Sequence, residues 1–260
     1  MVSRRGGGVA SAAGGCVRIV DHRGASVRRT RRRTLAAFGL TLTNSTSIVV
    51  RGILGRLDAE DFARVIPRWS RQVFDVSQTT LEVRGREHVP DTPCVLLSNH
   101  RSLLDVPAIV LAFPGRVSFV AKEELRSVPM FGRAMARYGI IFVDRAHRER
   151  AIAQLAAAGE ALRAGTSVWI AAEGGRSKGV GLGELKKGPF HVALQLAVPI
   201  VPTWIEGTER VLPSGALRSV TGQTVAVRFG PPLPTEGVTR GSLGALMQQA
   251  RSALLALADP

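Results

Sequence analysis

The segment Ser98-Asn99-His100-Arg101-Ser102-Leu103-Leu104-Asp105 sets an imidazole and a carboxylate five positions apart. A histidine takes up a proton near neutral pH, and a carboxylate against its second ring nitrogen fixes the tautomer and stabilises the imidazolium, so the two make a candidate general base. On one continuous helix a five-residue offset would leave these side chains roughly 140° apart. The pair therefore meets only if His100 precedes the helix, and the flanking sequence allows that. Pro93-Cys94-Val95-Leu96-Leu97 is a short apolar run suited to a buried parallel strand, and residues 106–113 are apolar and long enough for a helix. The plainer alternative is a helix start. Ser102 and Asp105 fit a capping box, or Asp105 alone caps a helix with Pro107 in its first turn, and neither arrangement needs His100.

Two further apolar runs deliver polar groups in the same way. Gly139-Ile140-Ile141-Phe142-Val143 ends in Asp144-Arg145, and Ser167-Val168-Trp169-Ile170-Ala171-Ala172 runs into Glu173-Gly174-Gly175-Arg176-Ser177-Lys178-Gly179. Parallel strands bring such C-terminal ends to one edge of a sheet, where open α/β folds bind ligands. Glycines let backbone approach a ligand, and Arg145 and Arg176 carry forked cations suited to phosphate. Taken singly, Asp144-Arg145 reads as a solvated strand end and the glycine run as a turn. A fourth run, Val198-Pro199-Ile200-Val201-Pro202, follows Lys186-Lys187-Gly188-Pro189-Phe190.

In order and spacing these segments resemble the 1-acylglycerol-3-phosphate acyltransferases and the wider phospholipid and glycerol acyltransferase superfamily. Residues 99–105 match the family's Asn-His-x-Ser-x-x-Asp block and residues 139–145 its Gly-x-x-Phe-Val/Ile-Asp-Arg block. Residues 171–177 stand where the family has Phe-Pro-Glu-Gly-Thr-Arg-Ser, with Ala171-Ala172 for Phe-Pro and Gly175 for Thr, and residues 198–202 match Val-Pro-Ile-x-Pro. The resemblance covers roughly residues 80–230. It implies an α/β fold, a mainly parallel central sheet flanked by helices, glycerol-phosphate acyltransferase-like, with an N-terminal helical membrane-docking extension. The implied reaction moves a fatty acyl group from an acyl thioester, acyl-CoA or acyl-acyl carrier protein, to the free hydroxyl of a lysophospholipid, with no bound cofactor and no metal. His100 and Asp105 take the catalytic positions, and Asn99, Arg145, Glu173, Gly174, Arg176 and Ser177 the substrate-binding ones. The preferred acceptor is 1-acylglycerol-3-phosphate, giving phosphatidate. Gly175 keeps another lysophospholipid or an aminolipid open as acceptor.

The 260 residues are 45% hydrophobic, enough for one large α/β domain, which is expected over residues 80–260. Two cysteines, Cys16 and Cys94, make no disulfide framework, and no Cys or His spacing suggests zinc. The net charge of +15 is concentrated at the start, where residues 1–33 carry nine arginines against one acid, Asp21. That stretch lacks apolar periodicity and reads as a disordered tail drawn to an anionic membrane surface, although a transit leader has the same composition. No secretory signal fits. A non-catalytic nucleic-acid-binding protein is the alternative of a different class, but no aromatic-studded basic strand or recognition helix accompanies the arginines, so no nucleic-acid partner is expected.

Residues 34–79 read as an apolar and amphipathic helical segment. Residues 35–55 hold too many hydroxyl and amide side chains for a spanning helix. Phe62, Ile66, Trp69, Val73 and Val76 recur at helical spacing with arginines between them, which suits either an interfacial helix or a core-packing one. The expected place is the cytoplasmic face of a membrane, peripheral or monotopic. Helices are expected over residues 129–138, 147–164 and 189–197 and from residue 243 to the end, with a strand over residues 224–229.

Overall fold

The computed structural model describes residues 15–54, 59–144, 146–177, 181–239 and 241–258, and Arg145 and the side chain of Phe62 lie outside them. In chain order the elements are β1 (Val17–Val20), β2 (Arg29–Thr30), α1 (Arg31–Ile53), α2 (Ala59–Ser77), β3 (Thr80–Arg84), β4 (Val95–Ser98), α3 (Asp105–Ala112), β5 (Val117–Lys122), α4 (Phe131–Tyr138) and β6 (Ile141–Val143). They continue with α5 (Arg148–Arg163), β7 (Ser167–Ala171), α6 (Gly188–Gln195), β8 (Ile200–Glu206), α7 (Thr208–Val211), β9 (Ser219–Val220), β10 (Thr224–Phe229) and α8 (Leu243–Ala258).

Eight strands form one sheet in the order β1-β3-β10-β8-β4-β7-β5-β6. From β8 across to β6 every pairing is parallel, while β10 runs antiparallel to β8 and β1 antiparallel to β3. The parallel strands β4, β6 and β7 are buried throughout, because helices cover both faces of the sheet. One core layer gathers Phe74, Leu96, Ile109, Trp169 and Phe229, and the other Leu97, Ile170, Phe190, Ile200 and Leu254. The β4 position is central, so the turn that follows it opens in the middle of the sheet's C-terminal edge.

The N-terminal half departs from the sequence reading in one way and decides an alternative that the reading left open. The stretch through residue 33 is not a disordered tail over its second part. β1 extends the sheet with Val20 buried, Arg18 Nε donates to Glu82 at 2.9 Å, and Arg71 donates to the Ile19 carbonyl at 3.1 Å. β2 pairs with β9, and Thr34, buried at the start of α1, accepts from the Ser219 amide at 2.8 Å. An edge strand needs backbone pairing more than apolar periodicity, so arginine-rich composition did not reveal it.

The alternative left open was whether the second helix is interfacial or packs into the core. α2 packs inward: Val73 and Phe74 are core residues, and Trp69 donates from Nε1 to Thr41 of α1 at 3.1 Å. The exposed stripe is instead on α1, where Leu35, Phe38 and Leu42 are 69, 48 and 57% exposed, while one heptad further on Val49 is buried beside Ala134. The polar residues of α1 are satisfied within the helix, Thr41, Thr43 and Asn44 each donating to the carbonyl four residues earlier. Among the described residues no helix is long and apolar enough to cross a membrane.

Deleting residues 1–24 removes β1 with its buried valine. Burial of one such side chain stabilises by ~1.5–3 kcal/mol, which in a domain of this size corresponds to a melting temperature lower by about 3 °C or more. Calorimetry of the truncated protein checks this, and an unchanged melting temperature would return the segment to a loose tail.

Candidate functional site

β4 ends at Ser98, α3 begins at Asp105, and His100 lies in the turn between them. The helix start and the side-chain pair turn out to be one arrangement. Asp105 occupies the first helical position, and its Oδ2 accepts from the amides of Arg101 and Ser102 at 2.7 and 3.0 Å as well as from His100 Nδ1 at 2.6 Å. Its Oδ1 accepts from the Thr208 hydroxyl at 2.5 Å. The carboxylate is 1% exposed and the imidazole 15%, so the acid is sealed and the ring reaches the edge of the site. With Nδ1–H donated to Asp105, Nε2 is the basic nitrogen. The ring also stands edge-on to Trp169, with centroids 5.2 Å apart and planes at 88°. Trp169 is fixed in turn, its Nε1–H donating to Ser98 Oγ at 2.8 Å.

The turn is fastened to a distant part of the chain. Asn99 Nδ2 donates to the Ile205 carbonyl at 2.7 Å and its Oδ1 accepts from the Ile205 amide at 2.8 Å, so the side chain pairs with β8 as another strand would. Ser102 Oγ donates to the Leu212 carbonyl at 2.8 Å and accepts from the Leu104 amide. Asn99 is thus buried, and one donor and one acceptor of its amide hold the turn to β8.

The strand ends converge as parallel pairing requires. The Ala172 amide donates to the Ser98 carbonyl at 2.7 Å and the Ser177 amide to the His100 carbonyl at 2.8 Å, which lays residues 172–177 against the turn that carries His100. Within that loop the positive φ falls on Gly174, at 75°, and its amide donates to Ala171. Gly174 therefore shapes the bend, and its N–H is not free for an anion. Glu173 accepts from the Gly183 amide through Oε2, while Oε1 is buried with no hydrogen-bond partner among the described residues. Arg176 is exposed and borders a cleft of about 210 Å³ whose other walls include Phe38, Leu103, Leu212 and Leu217. A cation at the lip of an apolar cleft suits an amphiphile with an anionic head.

At the end of β6, Asp144 is committed locally. It accepts from His147 Nδ1 at 2.7 Å, and that hydrogen bond holds its carboxyl below the usual range. Cys94 is buried at the start of β4, and burial pushes its thiol up to about 11, so it is no ready nucleophile. Among the described residues no group of His, Cys, Asp and Glu side chains is placed to hold a metal ion.

Sequence reasoning found the His100–Asp105 pair and missed Thr208 and Trp169. A hydroxyl directly after a strand and a glycine, and a tryptophan inside a strand, carry no local mark of their partners. If Asn99 is a structural tie, Asn99→Ala leaves two buried groups of Ile205 unpaired, at ~1–3 kcal/mol each, and lowers the melting temperature by about 3 °C or more. A variant that melts like the parent would contradict this assignment.

Comparison with known proteins adds the family. The sequence profile of the Acyltransferase family matches residues 80–206, from β3 to the end of β8. The human 1-acyl-sn-glycerol-3-phosphate acyltransferase alpha is 36% identical over 177 residues, which is 67% of this chain and 62% of the relative. The 1-acyl-sn-glycerol-3-phosphate acyltransferase of Saccharomyces cerevisiae is 32% identical over 178 residues, 67% of this chain and 58% of the relative. The chain thus spans about three fifths of the length of these curated relatives. The crystal structure of the 1-acyl-sn-glycerophosphate acyltransferase PlsC from Thermotoga maritima superposes with a TM-score of 0.70 at 23% identity, covering 89% of this chain and 99% of that one, and shares the fold. On its sequence blocks, its matched residues and its fold, the chain belongs to the acyltransferase family.

Proposed function

We propose that the protein transfers a fatty acyl group from an acyl thioester, acyl-CoA or acyl-acyl carrier protein, to the free hydroxyl of 1-acylglycerol-3-phosphate, giving phosphatidate. The observation that carries this reading is His100, oriented by a buried carboxylate, at a sheet edge that also presents Arg176 and an oxygen of Glu173 with no partner among the described residues. The names of the relatives support the acceptor.

In this mechanism the acceptor hydroxyl donates to His100 Nε2. As its oxygen bonds to the thioester carbonyl carbon, the proton passes to the imidazole, and Asp105 stabilises the resulting imidazolium. Collapse of the tetrahedral intermediate breaks the C–S bond, and the leaving thiolate takes the proton back from His100. No residue is acylated. Arg176 and, from the matching block, Arg145 hold the phosphate, Glu173 accepts from an acceptor hydroxyl, and Ser177 lines the same loop.

The acyl chain of the acceptor lies along the cleft walled by Phe38, Leu103 and Leu217. The exposed stripe of Leu35, Phe38 and Leu42 leads away from that cleft, so we assign it to contact with the cytoplasmic face of a membrane, where the arginines of the N-terminal region favour anionic headgroups. In this reading residues 80–260 form the acyltransferase domain, and α1 and α2 are its N-terminal extension, of which α1 faces the membrane.

The test supplies purified protein with lysophosphatidate and either thioester and measures phosphatidate and free thiol. Loss of the general base in His100→Ala lowers turnover by roughly 10²–10⁴-fold with the fold retained. Near-normal turnover by the folded variant would overturn the mechanism. Arg176→Ala removes a charge-assisted hydrogen bond and lowers kcat/KM for lysophosphatidate relative to monoacylglycerol by about tenfold to a hundredfold. An unchanged ratio would take Arg176 out of the phosphate site.

A further inference from the structure

The Asp105 carboxylate divides its work between its two oxygens. Oδ2 accepts three hydrogen bonds, from His100 and from the amides of Arg101 and Ser102. Among the described residues Oδ1 has one partner, the hydroxyl of Thr208. Both Asp105 and Thr208 are fully buried, so water does not replace that donor. An ionised carboxylate only accepts hydrogen bonds, and the Thr208 hydroxyl therefore donates. Without it, a buried anionic oxygen would stand unpaired and the carboxylate would be free to turn about its Cβ–Cγ bond. Turning carries Oδ2 away from the geometry that fixes His100 with its Nδ1 protonated.

The chain is bent to deliver this hydroxyl. β8 ends beside the catalytic turn, and Gly207 follows with φ at 90°. A Cβ at position 207 would meet the Thr224 carbonyl oxygen of β10 at 2.4 Å, so the reversal that puts Thr208 under Asp105 requires glycine there. Asn99 bonded to Ile205 and Ser102 bonded to Leu212 hold the same segment on either side of Thr208. Three ties from residues 205–212 to the catalytic turn exceed what packing of a loop demands, and only the middle one ends on the acid that orients the base.

We propose that Thr208 is a positioning residue for the transfer reaction, the third member of a relay in which its hydroxyl holds Asp105 and Asp105 holds His100. The inference rests on the acyl-transfer reading above, because it assigns Thr208 to the chemical step and not to the binding of either substrate.

Four variants test it. Thr208→Val keeps the shape and removes the donor, and it lowers kcat about tenfold with KM for both substrates within about twofold, because positioning acts on the transition state. Thr208→Ser keeps the donor and restores kcat to within about threefold of the parent. Thr208→Ala, which differs from Thr208→Ser only in the hydroxyl, loses kcat as Thr208→Val does, so the comparison stands even if the valine variant does not fold. In an Asp105→Asn background Thr208→Val causes no further loss, since the residue acts through the carboxylate. Parental kcat in Thr208→Val and Thr208→Ala, an equal loss in Thr208→Ser and Thr208→Ala, or a raised KM with unchanged kcat would each overturn the proposal.

The parent protein in the same assay separates the two readings, because absence of transfer to any lysolipid would overturn the proposed function alone. Thr208 is then read from the ring nitrogens of His100 by 15N NMR, assigned by their loss in His100→Ala. The Nδ1-protonated form persists in the parent and in Thr208→Ser, and Thr208→Ala shows a mixture of tautomers. The same single tautomer in Thr208→Ala would overturn the positioning role.

Discussion

A carboxylate with no exposure to water must be surrounded by donors, and in this protein that requirement organises the catalytic turn. Asp105 is sealed beneath His100, and isolated burial of its charge would cost far more than any one contact returns. Two backbone amides, an imidazole and a hydroxyl meet the demand, and each comes from a residue whose position is then no longer free. The helix start, the ring orientation and the path of residues 205–212 are consequences of satisfying one anion. This also explains why the pair sits before the helix and not along it: only a turn can aim two consecutive amides and an imidazole at a single oxygen.

The sheet supplies the rest. Parallel pairing of β4 with β7 and β8 puts three C-terminal ends side by side, and each end does something different. β4 carries the base. β7 places Trp169 under the imidazole and runs into the bend that presents Arg176 and Glu173. β8 sends its continuation across the turn to clamp it. The cleft next to Arg176 takes Phe38 of α1 into its apolar wall, from outside the matched family segment.

How much of this was legible in the sequence depended on separation along the chain. His100 and Asp105 are five residues apart, and their chemistry and spacing together exposed the pair. Thr208 lies 103 residues from Asp105, and Asn99 lies 106 residues from the backbone it binds. In the second case the partner is a peptide group, which has no residue identity to recognise, so the tie from Asn99 to β8 was not legible. The role of the Gly174 amide was hidden for a related reason, since it closes the bend with the carbonyl of Ala171. β4, β6, β7, β8, β10 and most helices were visible because apolar runs and glycine stops are local, whereas β1, β2, β3, β5 and β9 were not read. Which amphipathic stripe faces solvent was not, since periodicity shows that a helix has an apolar face and says nothing of what covers it. α2 had the better pattern and is packed, while α1 had the interrupted one and is bare.

The central claim is that His100 acts directly on an acceptor hydroxyl whose phosphate rests on Arg176. A crystal structure of the protein with bound lysophosphatidate tests this most directly. The account predicts the free hydroxyl within about 2.6–3.2 Å of His100 Nε2, the phosphate against the Arg176 guanidinium and the acyl chain along Phe38 and Leu217. A headgroup seated elsewhere, with the hydroxyl out of reach of Nε2, would contradict it.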